Sequence, residues 1–399
     1  MEQAVFAAVG YSCPPWEDMI LFSMDESGAL RRLDGACLGC SPSFLCEDGQ
    51  GGLFVGCENP ADAAILHFPG SPAGSVREWR LPYRQLCHLM RHGNTLYASC
   101  YGDGAFFALD AASGREVWHA CMQPGRSRAH WSAVSPDGAA LFACDLGADS
   151  VYCFRLLHGR PQARPMGRLR LPDKSGPRQV LAKGRRLYVL GQDDSTISVF
   201  ESVQAGLAGA PPRRVAASCA RVEARNYPSV MAFTRDGQLL AANRGADTLA
   251  CFAPTADGGL AMRWERPLDG SWPRFFCLSA DGRFALAAMR HTGQVQSYRL
   301  DAGGPRLCGA LPLPEASCIL PLGRAGGAVY QSVRRGLCLY VAQKESIMDK
   351  TGLQDKIRTG GAFAYGCEAE RDRAGGGRLA GHAFQSDQQQ AGQIGRAHV

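Results

Sequence analysis

The chain lacks any run of about 18 uninterrupted apolar residues, so a membrane-spanning helix is excluded on hydropathy. It also lacks a large surplus of either charge: 43 Lys and Arg stand against 37 Asp and Glu, a net +6. Basic clusters such as RRLD and GRRLY break off into apolar residues within two or three positions. A nucleic-acid stripe needs denser Lys and Arg on one face, so no nucleic-acid partner is expected. The small surplus suits a small anionic substrate instead. The opening MEQAVFAAVGYSCPPWEDM has no basic stretch ahead of an apolar run, so no secretory leader is expected. No Gly-x-Ser-x-Gly elbow occurs, which disfavours a serine hydrolase.

Cys37-Leu38-Gly39-Cys40 has CxxC spacing, but no second pair follows at zinc-compatible spacing, and no thioredoxin-like context surrounds it. An odd count of 17 cysteines without a leader points to free thiols in a reducing cytoplasm. Cys144, Cys153, Cys251 and Cys277 read as small buried hydrophobes. No metal or other cofactor is expected.

What the chain does have is a repeat. HWSAVSPDGAALFACDLGADSVYCFRL recurs in form as YPSVMAFTRDGQLLAANRGADTLACFAP and as WPRFFCLSADGRFALAAMRHTGQVQSYRL. Each copy is an apolar strand, a turn of the S-P-D-G kind, a second apolar strand, a polar loop and an alternating strand. Asp-Gly supplies the positive φ that such a hairpin needs. Six copies align on Phe54, Leu96, Leu141, Leu187, Leu240 and Ala285, with steps of 42, 45, 46, 53 and 45. A strand-built period of about 45 residues is the mark of propeller blades. The N-terminal VFAAVGYSCPPWEDMILFSMDESGALRRL lacks an innermost strand, and EASCILPL near the other end supplies one. Joining them closes an all-β, seven-bladed β-propeller and leaves no open sheet edge. SCILPLGRAGGAVYQSVRRGLCLYV also reads as a further hairpin, which would make eight blades. The propeller is expected over residues 1–343 and a poorly ordered tail over 344–399, where Gly, Gln, Arg and Asp replace the pattern. The final QIGRAHV looks like a translated sequencing adapter, so the end of the tail is read as partly artefactual.

A closed ring brings two sets of positions to one mouth of its channel. From the innermost strands come Ser43, Cys87-His88, His130, Arg178-Gln179, Ser229, Arg274 and Ser317. From the ends of the second strands come Glu58, Tyr101, Asp145, Gln192, Asn243-Arg244 and Met289-Arg290. Histidines, arginines and carboxylates in one funnel suit an anionic substrate attacked by water. The plainer alternative is that His88 and His130 only plug the channel by bonding to backbone.

LCHL, AHWS followed by DLG, GPR, NRG and WPR, in this order, make the chain similar to the seven-bladed β-propeller lactonase family, best known for 6-phosphogluconolactonases. The resemblance spans about residues 4–320. It implies metal-independent hydrolysis of a sugar lactone, 6-phosphogluconolactone to 6-phosphogluconate, by a cytoplasmic monomer of the pentose phosphate pathway. It carries a His onto His130, a Cys-His pair onto His88, and the arginines of GPR, NRG and WPR onto Arg178, Arg244 and Arg274. His130 would then be the general base, with Arg178 and Arg274 binding the anion and steadying the oxyanion. His88, Asp145, Arg244, Glu58 and Gln192 would hold substrate. The chain departs from the family at Gln179 and Phe275, where His is usual, at Gly191-Gln192, where Asn-Glu is usual, and at Arg128. These departures motivate a second reading, a propeller that binds a small anionic ligand or a protein without catalysis. Muconate-type lactonisation, known from a related branch, ranks last because its carboxylate is missing.

Overall fold

The repeat folds into seven antiparallel sheets among the described residues, six of four strands and one of five, in which Arg160–Pro161 and Gly167–Arg170 both pair with Ser150–Leu157. The computed structural model describes residues 3–351 except 12–15, 60, 71–74, 202–210, 221–224 and 325–326, without the side chains of 345–351. Blade 1 sets the C-terminal strand Ala316–Arg324 beside Ala4–Gly10, Met19–Met24 and Leu30–Ala36. Blades 2 to 7 follow in chain order. Their innermost strands are Pro42–Glu47, Leu86–His92, Ala129–Val134, Pro177–Lys183, Tyr227–Phe233 and Pro273–Leu278. The six residues that align the repeat all fall at the second position of a blade's second strand. The Asp-Gly turns behave as their sequence requires, with Gly138, Gly237 and Gly282 at φ of 72°, 85° and 75°.

Alternation along each strand builds the core. In Leu53–Cys57, Leu53, Val55 and Cys57 face blade 1, while Phe54 faces blade 3. Both sheet faces are therefore buried, and seven apolar layers fill the seven spaces between blades. The last of them, with Phe6 and Phe22 of blade 1 against Leu286 and Ala288 of blade 7, completes the circle.

The stretch read as a further hairpin is instead a helix, Ala328–Thr351, so the ring has seven blades and not eight. Tyr330, Val333, Leu337 and Tyr340 recur at three- and four-residue spacing, and this face is buried against the layer between blades 1 and 2. The helix bridges both blades: Ser332 donates to the Gly70 carbonyl at 2.8 Å, and Tyr340 donates to the Leu38 carbonyl at 3.3 Å. The expected boundary after 343 falls inside this helix, and residues 352–399 of the expected tail lie outside the described residues. The free-thiol expectation needs one correction. Cys40 is bonded to Cys57, not to Cys37, because the register of blade 2 places Cys57 opposite Pro42, close to the loop that holds Cys40.

Candidate active site

The seven innermost strands share one irregularity. In each, one residue near the strand's start is left out of the pairing with its neighbour: Ser43, Cys87, His130, Arg178, Ser229, Arg274 and Ser317, the last strand also skipping Leu322 farther along. A bulge re-aims the side chain of the extra residue. These are the first of the two sets expected at the mouth. Several tie one blade to the next: Ser43 donates to the Leu86 carbonyl at 2.7 Å, Ser229 to Pro273 at 2.6 Å, and Ser317 to Pro42 at 3.2 Å. Cys87 reaches the carbonyls of Ala129 and His130. Burial pushes its thiol up to about 12, so it is no nucleophile near neutral pH.

Register also fixes the second set. In six of the seven blades the residue after the second strand donates its N–H to the carbonyl just before the innermost strand, while in blade 6 the equivalent Arg244 still lies within the strand, opposite Tyr227. Thus Glu58 bonds to Ser41, Tyr101 to Gln85, Gln192 to Gly176, Arg290 to Trp272 and Tyr11 to Glu315, all at 2.8–3.1 Å. All five accepting residues have positive φ, from 52° to 63°. Four of them are not glycine, a local strain that functional sites commonly carry. In blade 4 the equivalent donor is Leu146, bonded to Arg128. Asp145 is therefore one position short of the mouth. It is fully buried and accepts from Ser127 Oγ, Arg128 N and Ala148 N, so it shapes a turn and does not hold substrate.

Tyr11 was missed by sequence reasoning because the innermost strand of its blade comes from the other end of the chain. Gly10 before it is required by packing, since a Cβ there would lie 2.3 Å from the Pro314 carbonyl oxygen.

Two hydrogen-bonded groups of charged residues hold the arginines whose charges act on His130. In the first, Gln192 Oε1 accepts from Arg178 Nη1 and from Arg244 Nη2, each at 2.6 Å. In the second, Arg274 donates from Nε to the Tyr11 hydroxyl at 2.9 Å, and Tyr11 donates to Glu58 Oε2 at 2.8 Å. Arg274 Nη2 lies 3.8 Å from the same Glu58 oxygen. Arg290 lies 5.0 Å from the centre of the Tyr11 ring and pairs with Glu315 at 2.7 Å.

His130 is 5% exposed, and its buried Nδ1 has no hydrogen-bond partner among the described residues. Burial, then the charges of Arg178, Arg274 and Arg244, with His88 adding to them, hold its ring well below the ordinary histidine range. The imidazole is neutral at pH 7, and with Nδ1 sealed in protein, Nε2 is the nitrogen left for a reactant.

The residues that follow the bulges lie one layer deeper and close the channel. Phe44 packs on His88, Trp131 and Phe275 with ring centres 4.8, 5.6 and 5.7 Å away. His88 lies 3.8 Å from Trp131, and its Nδ1 accepts from the Ser132 N–H at 3.3 Å. Burial pushes it down to about 3. His88 is thus a floor residue bonded to backbone and not a substrate ligand, because its place is the inward-packed position beside a bulge. Gln179 has the same task two blades on, its side chain pairing with both the N–H and the carbonyl of Met231. The departures at Gln179 and Phe275 therefore fall in the floor, below the layer of His130.

A family profile described as "Lactonase, 7-bladed beta-propeller" matches residues 17–321. The 6-phosphogluconolactonase of Bacillus subtilis is 25% identical over 182 residues, 45% of this chain and 52% of that protein, so the match spans about half of that relative's length. The 6-phosphogluconolactonase of Sodalis glossinidius is 22% identical over 326 residues, 76% of this chain and 92% of that one. Among solved structures, a Lactobacillus plantarum protein superposes with a TM-score of 0.72 at 21% identity, covering 80% of this chain and 99% of its own. The periplasmic gluconolactonase of Pseudomonas aeruginosa gives 0.67 at 24%, with the same coverage. The likeness to these structures shows the fold, and the profile, matched across six blades and part of blade 1, shows that the chain belongs to the seven-bladed β-propeller lactonase family of hydrolases.

Proposed function

We propose that the chain hydrolyses a sugar lactone, and that the lactone is 6-phosphogluconolactone, opened to 6-phosphogluconate. The observation that carries this reading is His130: a buried, neutral imidazole with an unpartnered Nδ1, set among three guanidiniums. Its Nε2 removes a proton from water as that water attacks the lactone carbonyl. Arg274, oriented by Tyr11 and Glu58, steadies the oxyanion that forms. Collapse of the intermediate breaks the ring C–O bond, and the imidazolium returns its proton to the departing oxygen. Arg178 and Arg244 hold the anionic end of the substrate, as guanidinium forks do. An imidazole held so far down is a weak base, but a bound phosphate offsets the arginine charges and raises its proton affinity toward neutral pH. The names of the two curated relatives support the phosphorylated substrate.

The test is a direct assay of 6-phosphogluconolactone opening, corrected for the spontaneous reaction, on the native chain and on His130→Ala. Loss of a general base commonly costs ~10²–10⁴ in rate, and a loss of that size with an unchanged melting curve is the expected outcome. Full activity in the variant removes His130 from the mechanism.

A further inference from the structure

Arg128 sits at the mouth where blade 4 meets blade 3, just before the innermost strand that carries His130. The buried carboxylate of Asp145 fixes its backbone, accepting from Arg128 N at 2.9 Å and from Ser127 Oγ at 2.5 Å. The side chain is half-buried. Its stem lies along Gly147, where an added Cβ would come within 2.9 Å of Arg128 Cγ. Nη1 donates to the Ser127 carbonyl at 2.7 Å. The guanidinium carbon stands 5.9 Å from the centre of the Tyr101 ring, and the same ring meets the edge of His130 with centres 6.3 Å apart.

The charges around it are engaged with one another. Arg126 lies 3.8 Å from Asp149, Arg84 pairs with Asp103 at 2.7 Å, and Asp145 accepts from Ser127, Arg128 N and Ala148 N. Among the described residues, Arg128 Nε and Nη2 have no hydrogen-bond partner, and no carboxylate pairs with the guanidinium. Neither nitrogen is sealed in protein. Together they form one edge of the guanidinium, the edge that Arg84 sets on Asp103 Oδ1 at 2.9 and 2.7 Å. Two parallel donors held in place in this way match a carboxylate.

We propose that Arg128 is a specificity-determining residue: its Nε–Nη2 edge, propped on the Tyr101 ring that borders His130, receives a carboxylate of the ligand. Ring opening turns a lactone carbonyl into a carboxylate, so the group that fits Arg128 is the one that hydrolysis forms. Naming it as the carboxylate of 6-phosphogluconate rests on the lactonase reading above. The carboxylate subsite itself does not.

Two ligands that differ only at this group separate a carboxylate contact from a general attraction to anions. They are 6-phosphogluconate and glucitol 6-phosphate, in which a CH2OH group replaces the carboxylate. Titration calorimetry on the full chain reads both without turnover. The native chain is expected to bind 6-phosphogluconate about tenfold or more tighter than glucitol 6-phosphate, the scale of one charge-assisted bond. In Arg128→Gln the affinity for 6-phosphogluconate falls by about that factor, and that for glucitol 6-phosphate by less than about threefold. In turnover, the inhibition constant of 6-phosphogluconate rises by the same factor. Equal native affinity for the two ligands, an unchanged 6-phosphogluconate affinity in the variant, or equal losses on both overturns the proposal, as does a native chain that binds neither. Arg128→Met, which keeps a stem along Gly147, carries the same test if the Gln variant does not fold. A native chain that gives the expected binding yet opens no lactone sustains the subsite and defeats the lactonase reading. One that opens the lactone but binds the two ligands equally keeps that reading and defeats the subsite.

Discussion

Asp18 is a carboxylate sealed from water at the top of blade 1, accepting from the N–H groups of Leu38 at 2.6 Å and Gly39 at 2.9 Å. Burial outweighs those bonds and raises its pKa from 3.8 to about 7. The folded chain thus keeps a proton that the unfolded chain releases. Its contribution to stability is complete below the unfolded value of 3.8 and is lost as pH rises through about 7. Calorimetric melting at a series of pH values should show the native chain losing ground to Asp18→Asn across that window and levelling off above it. A difference between the two that stays constant with pH would show that Asp18 titrates normally. The same physics divides the two candidate histidines. Both are buried and held neutral, but His88 is bonded to backbone while His130 faces cations. Residue type pointed to both, and only contacts between blades separate them. Asp145 misled for a related reason: a polar residue ends the strand at 145, but the mouth position is apolar Leu146.

The innermost strand, with its one-residue bulge, is the unit that converts a repeated sequence into a site. Because the bulge recurs seven times, the residue in it points one way and the residue after it packs into the floor. This explains how Gln179 can replace a family histidine: its amide donates to and accepts from Met231 where His88 only accepts from Ser132. Gln179→Leu should therefore cost stability and not chemistry. It leaves the Met231 N–H and carbonyl buried without that partner, a penalty of about 1–3 kcal/mol for each unmade bond. The measurement is a denaturant titration beside lactone kinetics. Lower stability with kcat/KM within about threefold of native is the expected pair of results, since the bond lost lies below the reacting layer. A drop in kcat comparable to that of His130→Ala would place Gln179 in the reaction. Strand number and turn positions were readable from the period-two patterns and the Asp-Gly turns. The bulges were not, because they arise when adjacent strands pair and leave no mark in either strand alone. The helix Ala328–Thr351 escaped for the opposite reason: its signal is local and real, but it follows the last strand so closely that LCLYV reads as another strand.

Closure is a property of the whole ring, and the two ends of the repeat region meet in it. Ala316–Arg324 pairs with Ala4–Gly10 across seven residue pairs, and through Ala316, Cys318, Ile319 and Leu322 it supplies both apolar layers that flank blade 1. The helix adds Tyr330, Val333, Leu337 and Tyr340 to only one of them, that between blades 1 and 2. Two truncations separate these contributions. Ending the chain after residue 327 exposes the partners of one helix face, so a lower melting temperature with a cooperative transition is expected, each apolar side chain lost costing about 1.5–3 kcal/mol at full burial. Ending it after Leu313 also removes the closing strand, which opens the edge of Ala4–Gly10 and strips two core layers at once. An unpaired edge of this kind recruits other chains. That variant should show no cooperative melting and should elute as aggregate in size-exclusion chromatography. If it instead melts cooperatively as a monomer, the strand from the C-terminal side is an ornament on a ring already stable without it, and the meeting of His130 with arginines from three other blades needs another cause.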